Sequence, residues 1–122
     1  MKTEFGDFLK EKRKGRHYTV KILANLIGKS TSYVSQLESG IRPAPKRETL
    51  EKISDSLVLN KCEKEKLFDL AAKSRNALSD DLTEYINSHE EVKKAIRFSK
   101  GSDIPEEEWH QFYNQLKDKF YI

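Results

Sequence analysis

A group of short, uncharged polar side chains is the part of this sequence best suited to contact a ligand: Thr31, Ser32, Ser35 and Gln36. In a helix they would point away from the apolar Val34 and Leu37. Hydroxyl and amide groups of this size can reach the edges of base pairs in the major groove of duplex DNA without repelling its phosphates. The alternative is an ordinary solvated helix face, but in a chain with 35% charged residues we expect such a face to carry Lys and Glu instead.

Two short helices are predicted to hold these side chains in place. Thr19 can cap the N-terminus of one helix, which ends at Gly28, and Ser30 can cap the next, which ends at Gly40. Gly28 allows the chain to reverse between them, and the small Ala24 allows the two helices to cross closely. This segment is therefore predicted to be a helix-turn-helix.

The remaining pattern predicts an all-α protein, because apolar residues recur at helical spacing and period-2 alternation is absent. A first helix is expected over about Thr3 to Lys14. A fourth is expected after the extended stretch Arg42–Pro45, and a fifth opens at an Asn60–Glu63 capping box. The predicted inward residues are Phe5, Phe8, Leu9, Leu23, Ala24, Ile27, Val34, Leu37, Leu50, Ile53, Leu57, Leu67, Leu70 and Ala71.

Residues 76–81 resemble a boundary, so we predict a domain at residues 1–75 and a small helical C-terminal extension at residues 76–122. Two short helices should occupy 82–87 and 90–99, with Leu82, Tyr85, Ile86, Val92, Ala95 and Ile96 facing inward. A turn follows at Lys100–Asp103, and Pro105 is placed at the first position of a last helix.

The last helix carries an apolar stripe at helical spacing, called here the aromatic stripe: Trp109, Phe112, Tyr113, Leu116 and Phe120. Packing into a core of the same chain and a dimer or partner surface are both open interpretations of this stripe.

The distribution of charge along the chain indicates which kind of partner the protein binds. The net charge is only +3, but residues 1–60 carry 12 Lys and Arg against 7 Asp and Glu, whereas residues 79–122 carry 6 against 10. A basic N-terminal half and an acidic C-terminal part are typical of a protein whose N-terminal domain binds a polyanion, although chance clustering is the alternative.

The single cysteine, and the lack of a long apolar run or a signal-peptide core, predict a cytoplasmic protein with no internal disulfide and no membrane partner.

Enzyme and metal chemistry are not expected. Glu107 and His110 form one Glu-x-x-His pair, but a di-metal site in a helix bundle needs two such pairs. Cys62 has no nearby histidine to activate it, and no phosphate-binding or dinucleotide-binding motif is present. We therefore predict no catalytic residues, no bound metal and no cofactor.

These motifs together resemble the lambda-repressor-like, XRE-type helix-turn-helix family over about residues 5–75. The family pattern is met at twelve positions of fixed spacing: Thr19, Leu23, Ala24, Gly28, Ser30, Tyr33, Val34, Ser35, Gln36, Leu37, Glu38 and Gly40. The resemblance implies a five-helix domain whose third helix enters the major groove of double-stranded DNA. It also implies a homodimer on a pseudo-palindromic operator, and hence a bacterial or phage transcriptional regulator, expected to be a repressor.

Residue roles follow from the resemblance. Thr31, Ser32 and Gln36 match base-contacting positions, and a glutamine suits a bidentate contact with adenine. Ser35 is predicted to contact a base or a phosphate. The matching phosphate contacts are Ser39, Arg42, Lys46 and Arg47, and Lys29, in the turn, is predicted to reach phosphate as well. For Lys10, Lys12, Lys14 and Arg16, a solvated face is at least as good an interpretation as DNA contact.

The resemblance also predicts a contact that stabilises the fold. Arg13 and Glu38 match a partly buried ion pair of the family. Val20 departs from the pattern, because family members often place a glutamine that holds a phosphate there. The apolar Ile22 and Leu26 are further interpreted as covering the tail or contacting a partner.

The C-terminal extension, also called the tail here, is compatible with several kinds of partner. A homodimer through the aromatic stripe is the leading interpretation, since one helix-turn-helix covers too little DNA for tight selective binding. The layout also resembles regulators of phage and mobile elements, some of which are inactivated by an antirepressor or a protease. The alternative function is an antitoxin-type autoregulator whose tail binds a toxin. An adaptor that no longer binds DNA is disfavoured by the small polar residues of the third helix.

Overall fold

Eight α-helices and no strand make up residues 2–121, the part of the chain that the computed structural model describes. They are α1 (Glu4–Gly15), α2 (Val20–Ile27), α3 (Thr31–Ser39), α4 (Arg47–Leu57), α5 (Lys61–Ser74), α6 (Asp80–Ser88), α7 (Glu90–Ser102) and α8 (Glu106–Phe120). The all-α class predicted from the sequence is confirmed.

Side-chain caps explain where the first helices begin. The Thr19 hydroxyl accepts a hydrogen bond from the backbone N–H of Ile22, and Ser30 accepts one from Tyr33, both at 3.1 Å. Asn60 and Glu63 form the predicted capping box, in which each side chain accepts from the other residue's backbone N–H. Such bonds satisfy N–H groups that have no partner within their own helix.

A single hydrophobic core forms where α1 packs on α3 and α5, α2 packs on α3 and α4, and α4 packs on α5. Every inward residue predicted for these five helices is buried, except Leu70, which is half-buried against the core. Ala44, in the extended stretch between α3 and α4, joins the same core. The other four helices therefore support α3.

The contacts within the chain divide it into two compact units, called here the front unit and the rear unit. The division lies between Thr83 and Glu84, inside α6. The division at residues 75 and 76 stays a prediction about which segment folds independently. The front unit extends past that point and includes Ser79, which is buried and whose hydroxyl donates to Asp81 at 2.6 Å.

The inner faces predicted for α6 and α7 are wrong for the structure of a single chain. Leu82, Tyr85 and Ile96 are each more than 40% exposed, Ala95 is exposed, and only Ile86 and Val92 are half-buried. Helical spacing correctly indicated amphipathic helices, but it does not supply the neighbouring surface that would cover them.

The turn predicted at Lys100–Asp103 is shorter than expected. Helix α7 continues through Lys100 and Gly101 to Ser102, and Asp103 ends it in the left-handed conformation, with φ of 52°. Aspartate tolerates this left-handed conformation better than most residues, so glycine is not required. Pro105 precedes the first turn of α8 as its N-cap rather than occupying its first position.

Within residues 2–121, no helix combines the length and the apolar character that crossing a membrane requires.

Candidate nucleic-acid interface

The central feature of the candidate site is the pair α2 and α3, which pack on one another across a three-residue turn. Gly28 ends α2 in the left-handed conformation, with φ of 70°, and the next backbone N–H, that of Lys29, donates to the Ala24 carbonyl at 2.9 Å. A side chain at Gly28 would be strained in that conformation. The turn therefore sets the angle at which α3 leaves α2.

Helix α3 has one buried and one open face. Val34 and Leu37 are fully buried and anchor the helix to the core. The predicted base-contacting residues lie on the other side: Thr31, Ser32 and Ser35 are exposed, and Gln36 is half-buried. The open face thus presents three hydroxyls and one amide at the surface.

Tyr33 organises the basic residues beside this face. The Lys29 ammonium lies 5.2 Å from the centre of the Tyr33 ring, and the Arg42 guanidinium lies 4.9 Å from it. Cations at these distances are attracted to the electron-rich face of an aromatic ring. Sequence reasoning used Tyr33 only as a match to a family position, and its role between two cations was missed because only the fold brings Lys29 and Arg42 to one ring.

The C-terminus of α3 is closed by hydrogen bonds to Gln36. Its backbone carbonyl accepts from the backbone N–H of Arg42 at 3.1 Å and from the Ser39 hydroxyl at 3.3 Å. The Gln36 side-chain carbonyl accepts from the Arg42 guanidinium at 3.1 and 2.9 Å. Two predicted phosphate contacts, Ser39 and Arg42, are thus also parts of the turn that follows α3.

The structure brings Arg13 and Glu38 together. The Arg13 guanidinium donates to the two Glu38 carboxylate oxygens at 2.6 and 3.0 Å, and also to the Tyr18 carbonyl at 2.8 Å. Their side chains are only 9% and 8% exposed. The hydrogen bond to Glu38 raises the pKa of Arg13. Through these contacts Arg13 ties α1 and the segment before α2 to α3.

Two basic residues of α1 have structural partners. Lys12 pairs with Glu63 of α5 at 2.7 Å, and Arg16 donates to the carbonyls of Leu57 and Val58 at the end of α4. Lys10 and Lys14 are exposed. Lys12 and Arg16 are therefore residues that hold helices together.

Lys46 and Arg47 are placed at the N-terminus of α4, where Lys46 is the N-cap and both are exposed. The stretch that leads to them is held by Arg75, whose guanidinium donates to the carbonyls of Ala44 and Pro45 at 3.2 and 2.7 Å. Arg75 was not singled out from the sequence, because it lies some 30 residues from the carbonyls it holds. It positions the connector from α5.

The aromatic stripe of α8 is largely uncovered. Trp109 is half-buried and meets Phe112 edge-on at 6.0 Å, while Phe112, Tyr113, Leu116 and Phe120 are 42–64% exposed. The two interpretations left open by the sequence, a core of the same chain and a dimer or partner surface, both stay predictions. On α2, Ile22 and Leu26 are 42% and 52% exposed.

A helix-turn-helix family model matches residues 9–57, which run from the second turn of α1 to the end of α4. No curated protein matches the chain. Among solved structures, the complex of SinR protein with SinI protein contains a similar chain, with 23% identity, a TM-score of 0.49, and coverage of 94% of this chain and 96% of that one.

Proposed function

We propose that the protein is a sequence-specific transcriptional regulator of the lambda-repressor-like, XRE type that binds double-stranded DNA; the helix-turn-helix family model that matches residues 9–57 supports this proposal. In this proposal α3 enters the major groove, and the protein acts as a repressor by occupying a pseudo-palindromic operator. The observation that carries the proposal is the open face of α3, which is polar, uncharged and rigidly supported from behind by Val34 and Leu37.

The placement of charge on α3 also supports the proposal that this helix enters the major groove. Glu38 is the one acidic residue of α3, and its carboxylate is turned inward to Arg13, so it does not repel phosphate. The proposed base contacts are Thr31, Ser32, Ser35 and Gln36. The proposed phosphate contacts are Lys29, Ser39, Arg42, Lys46 and Arg47. Each cation that neutralises a phosphate adds about one unit to the dependence of log affinity on log salt concentration.

A second copy of the chain is the proposed occupant of the aromatic stripe. One helix-turn-helix reads only a half-site, and selective binding is usually reached by a dimer on two half-sites about one DNA turn apart. The stripe is exposed in the single chain, and an apolar face of this kind gains stability when a matching face covers it. The antitoxin-type alternative would seat a different protein there.

Selection of binding sites from a random duplex library tests the proposal, followed by anisotropy titrations of the best site across salt concentrations. We expect a palindrome with half-sites about one turn apart. Gln36→Ala should lower discrimination at one position of each half-site by about 1–3 kcal/mol. Gln111→Ala, the same change on α8, is the matched control and should leave DNA binding unchanged. Weak binding without an enriched motif would exclude a sequence-specific regulator.

A further inference from the structure

The Arg42 side chain fixes which way the Gln36 amide points. Its Nε and Nη2 groups donate to one atom, the Gln36 Oε1, at 3.1 and 2.9 Å. A guanidinium has only donors, so the group it faces must be the amide oxygen and not the amide nitrogen. The carbonyl of Gln36 is therefore turned towards Arg42, and its NH₂ group is turned away.

Arg42 is itself held in this position. Its backbone N–H donates to the Gln36 backbone carbonyl at 3.1 Å, and its guanidinium lies over the Tyr33 ring. Gln36 is half-buried on α3, and it is the two hydrogen bonds from Arg42 that hold its amide in one orientation. Gln36 and Arg42 thus form one preorganised unit at the end of the open face.

This arrangement changes the hydrogen-bonding groups that Gln36 can offer to a base. A free glutamine offers one acceptor and one donor, which match the N6 amino group and N7 of adenine. Here both lone pairs of Oε1 receive bonds from Arg42, so only the two N–H groups remain. Guanine presents two acceptors in the major groove, N7 and O6, whereas the N6 amino group of adenine would face no acceptor.

We propose that Arg42 converts Gln36 into a donor-only reader, so that the position facing Gln36 is guanine and not the adenine that a free glutamine would favour. The inference rests on the proposed function, because it requires α3 to lie in the major groove. Arg42 acts here through Gln36 and sets specificity by positioning it.

The experiment compares binding-site selection for the wild-type chain, Gln36→Ala, Arg42→Ala and Lys29→Ala. The position that Gln36 reads is the one whose preference disappears in Gln36→Ala. Duplexes carrying each of the four base pairs at that position are then titrated with every variant at one salt concentration. Lys29→Ala is the matched control, because it removes a cation from the same Tyr33 ring and leaves the Gln36 amide held.

For the wild-type chain, we expect guanine to bind about tenfold or more tightly than adenine at that position. In Arg42→Ala the amide is free to turn, so the preference for guanine should fall several-fold and adenine should become at least as good. Lys29→Ala should weaken all four duplexes by a similar factor and keep the preference.

A selected palindrome with adenine at the Gln36 position, or a guanine preference that Arg42→Ala leaves intact, would overturn this inference while the proposed function stands. If the wild-type chain selects no motif and binds all duplexes equally, the proposed function and this inference both fail.

Discussion

Gly6 of α1 lies so close to the end of α3 that a Cβ in its place would be 2.5 Å from the backbone oxygen of Glu38. The same Cβ would lie 2.7 Å from the oxygen of Leu37. Both atoms belong to the backbone, so they cannot move aside without moving the helix. The absence of a side chain at Gly6 is therefore what allows α1 to lie against α3.

Gly6→Ala is expected to displace α3 and to lower stability by about 1–3 kcal/mol, the usual cost of inserting atoms into a packed site. DNA affinity should fall as well, because the proposed base-contacting residues move with α3. Urea unfolding and DNA titration measure the two effects. Gly15→Ala is the matched control, since a Cβ there meets no atom within 4 Å, and its stability should be unchanged or slightly higher. Equal stability of both variants would contradict the close approach.

Arg13→Met is expected to destabilise the chain by about 3–5 kcal/mol, because it leaves the carboxylate of Glu38 buried without its partner. The double variant Arg13→Met, Glu38→Leu should recover much of this loss, since no unpaired charge remains. Urea midpoints of the single and double variants measure the difference. Lys73→Met breaks the exposed pair with Glu4 and serves as the control, with little change expected. A single variant as stable as the wild type would show that the Glu38 carboxylate is hydrated.

The Lys12–Glu63 pair predicts a pH dependence of stability with two limits. The hydrogen bond from Lys12, and next that from the Asn60 backbone, lower the pKa of Glu63 below its ordinary value of 4.5. Since the folded-state pKa is lower than the unfolded one, the stabilisation is present above 4.5 and is lost as the pH falls through the folded-state pKa.

At the alkaline limit the sign is reversed. The hydrogen bond to Glu63 raises the pKa of Lys12 above 10.5, so its contribution is present below 10.5 and is lost as the pH rises through the folded-state value. Urea unfolding of wild type and Glu63→Gln across pH should therefore differ most between these limits and converge in acid. A difference that stays constant into acid would show that the carboxylate charge is not responsible.

Leu116→Glu is expected to prevent self-association, because it places a charge in the middle of the aromatic stripe of α8. Sedimentation velocity should show dimers for the wild type and monomers for the variant. DNA titration should show a loss of affinity for a palindrome but not for an isolated half-site. Gln111→Glu introduces the same charge on the opposite side of α8 and should remain dimeric. A wild-type chain that is monomeric at all concentrations would point instead to a different protein as the occupant of the stripe.

Local order in the front unit was predictable because it depends on residues a few positions apart. The N-caps Thr19 and Ser30, the capping box at Asn60, and the glycine that ends α2 act within one turn of helix, so their spacing alone predicts the helix-turn-helix. Periodic burial of Leu23, Val34 and similar residues follows from the same short-range repeat. The family pattern between Thr19 and Gly40 then adds the expected DNA interface.

Tertiary structure decided which groups meet across long separations, because that depends on how helices pack. Only the fold shows that Gly6 faces the carbonyl of Glu38, that Lys12 and Arg16 serve the contacts between helices, and that Arg42 turns back to orient Gln36. It also shows which apolar residues of the last helix are exposed, among them Phe112 and Tyr113. Helical periodicity determines that a face is apolar, whereas the neighbour that covers it is set by three-dimensional packing.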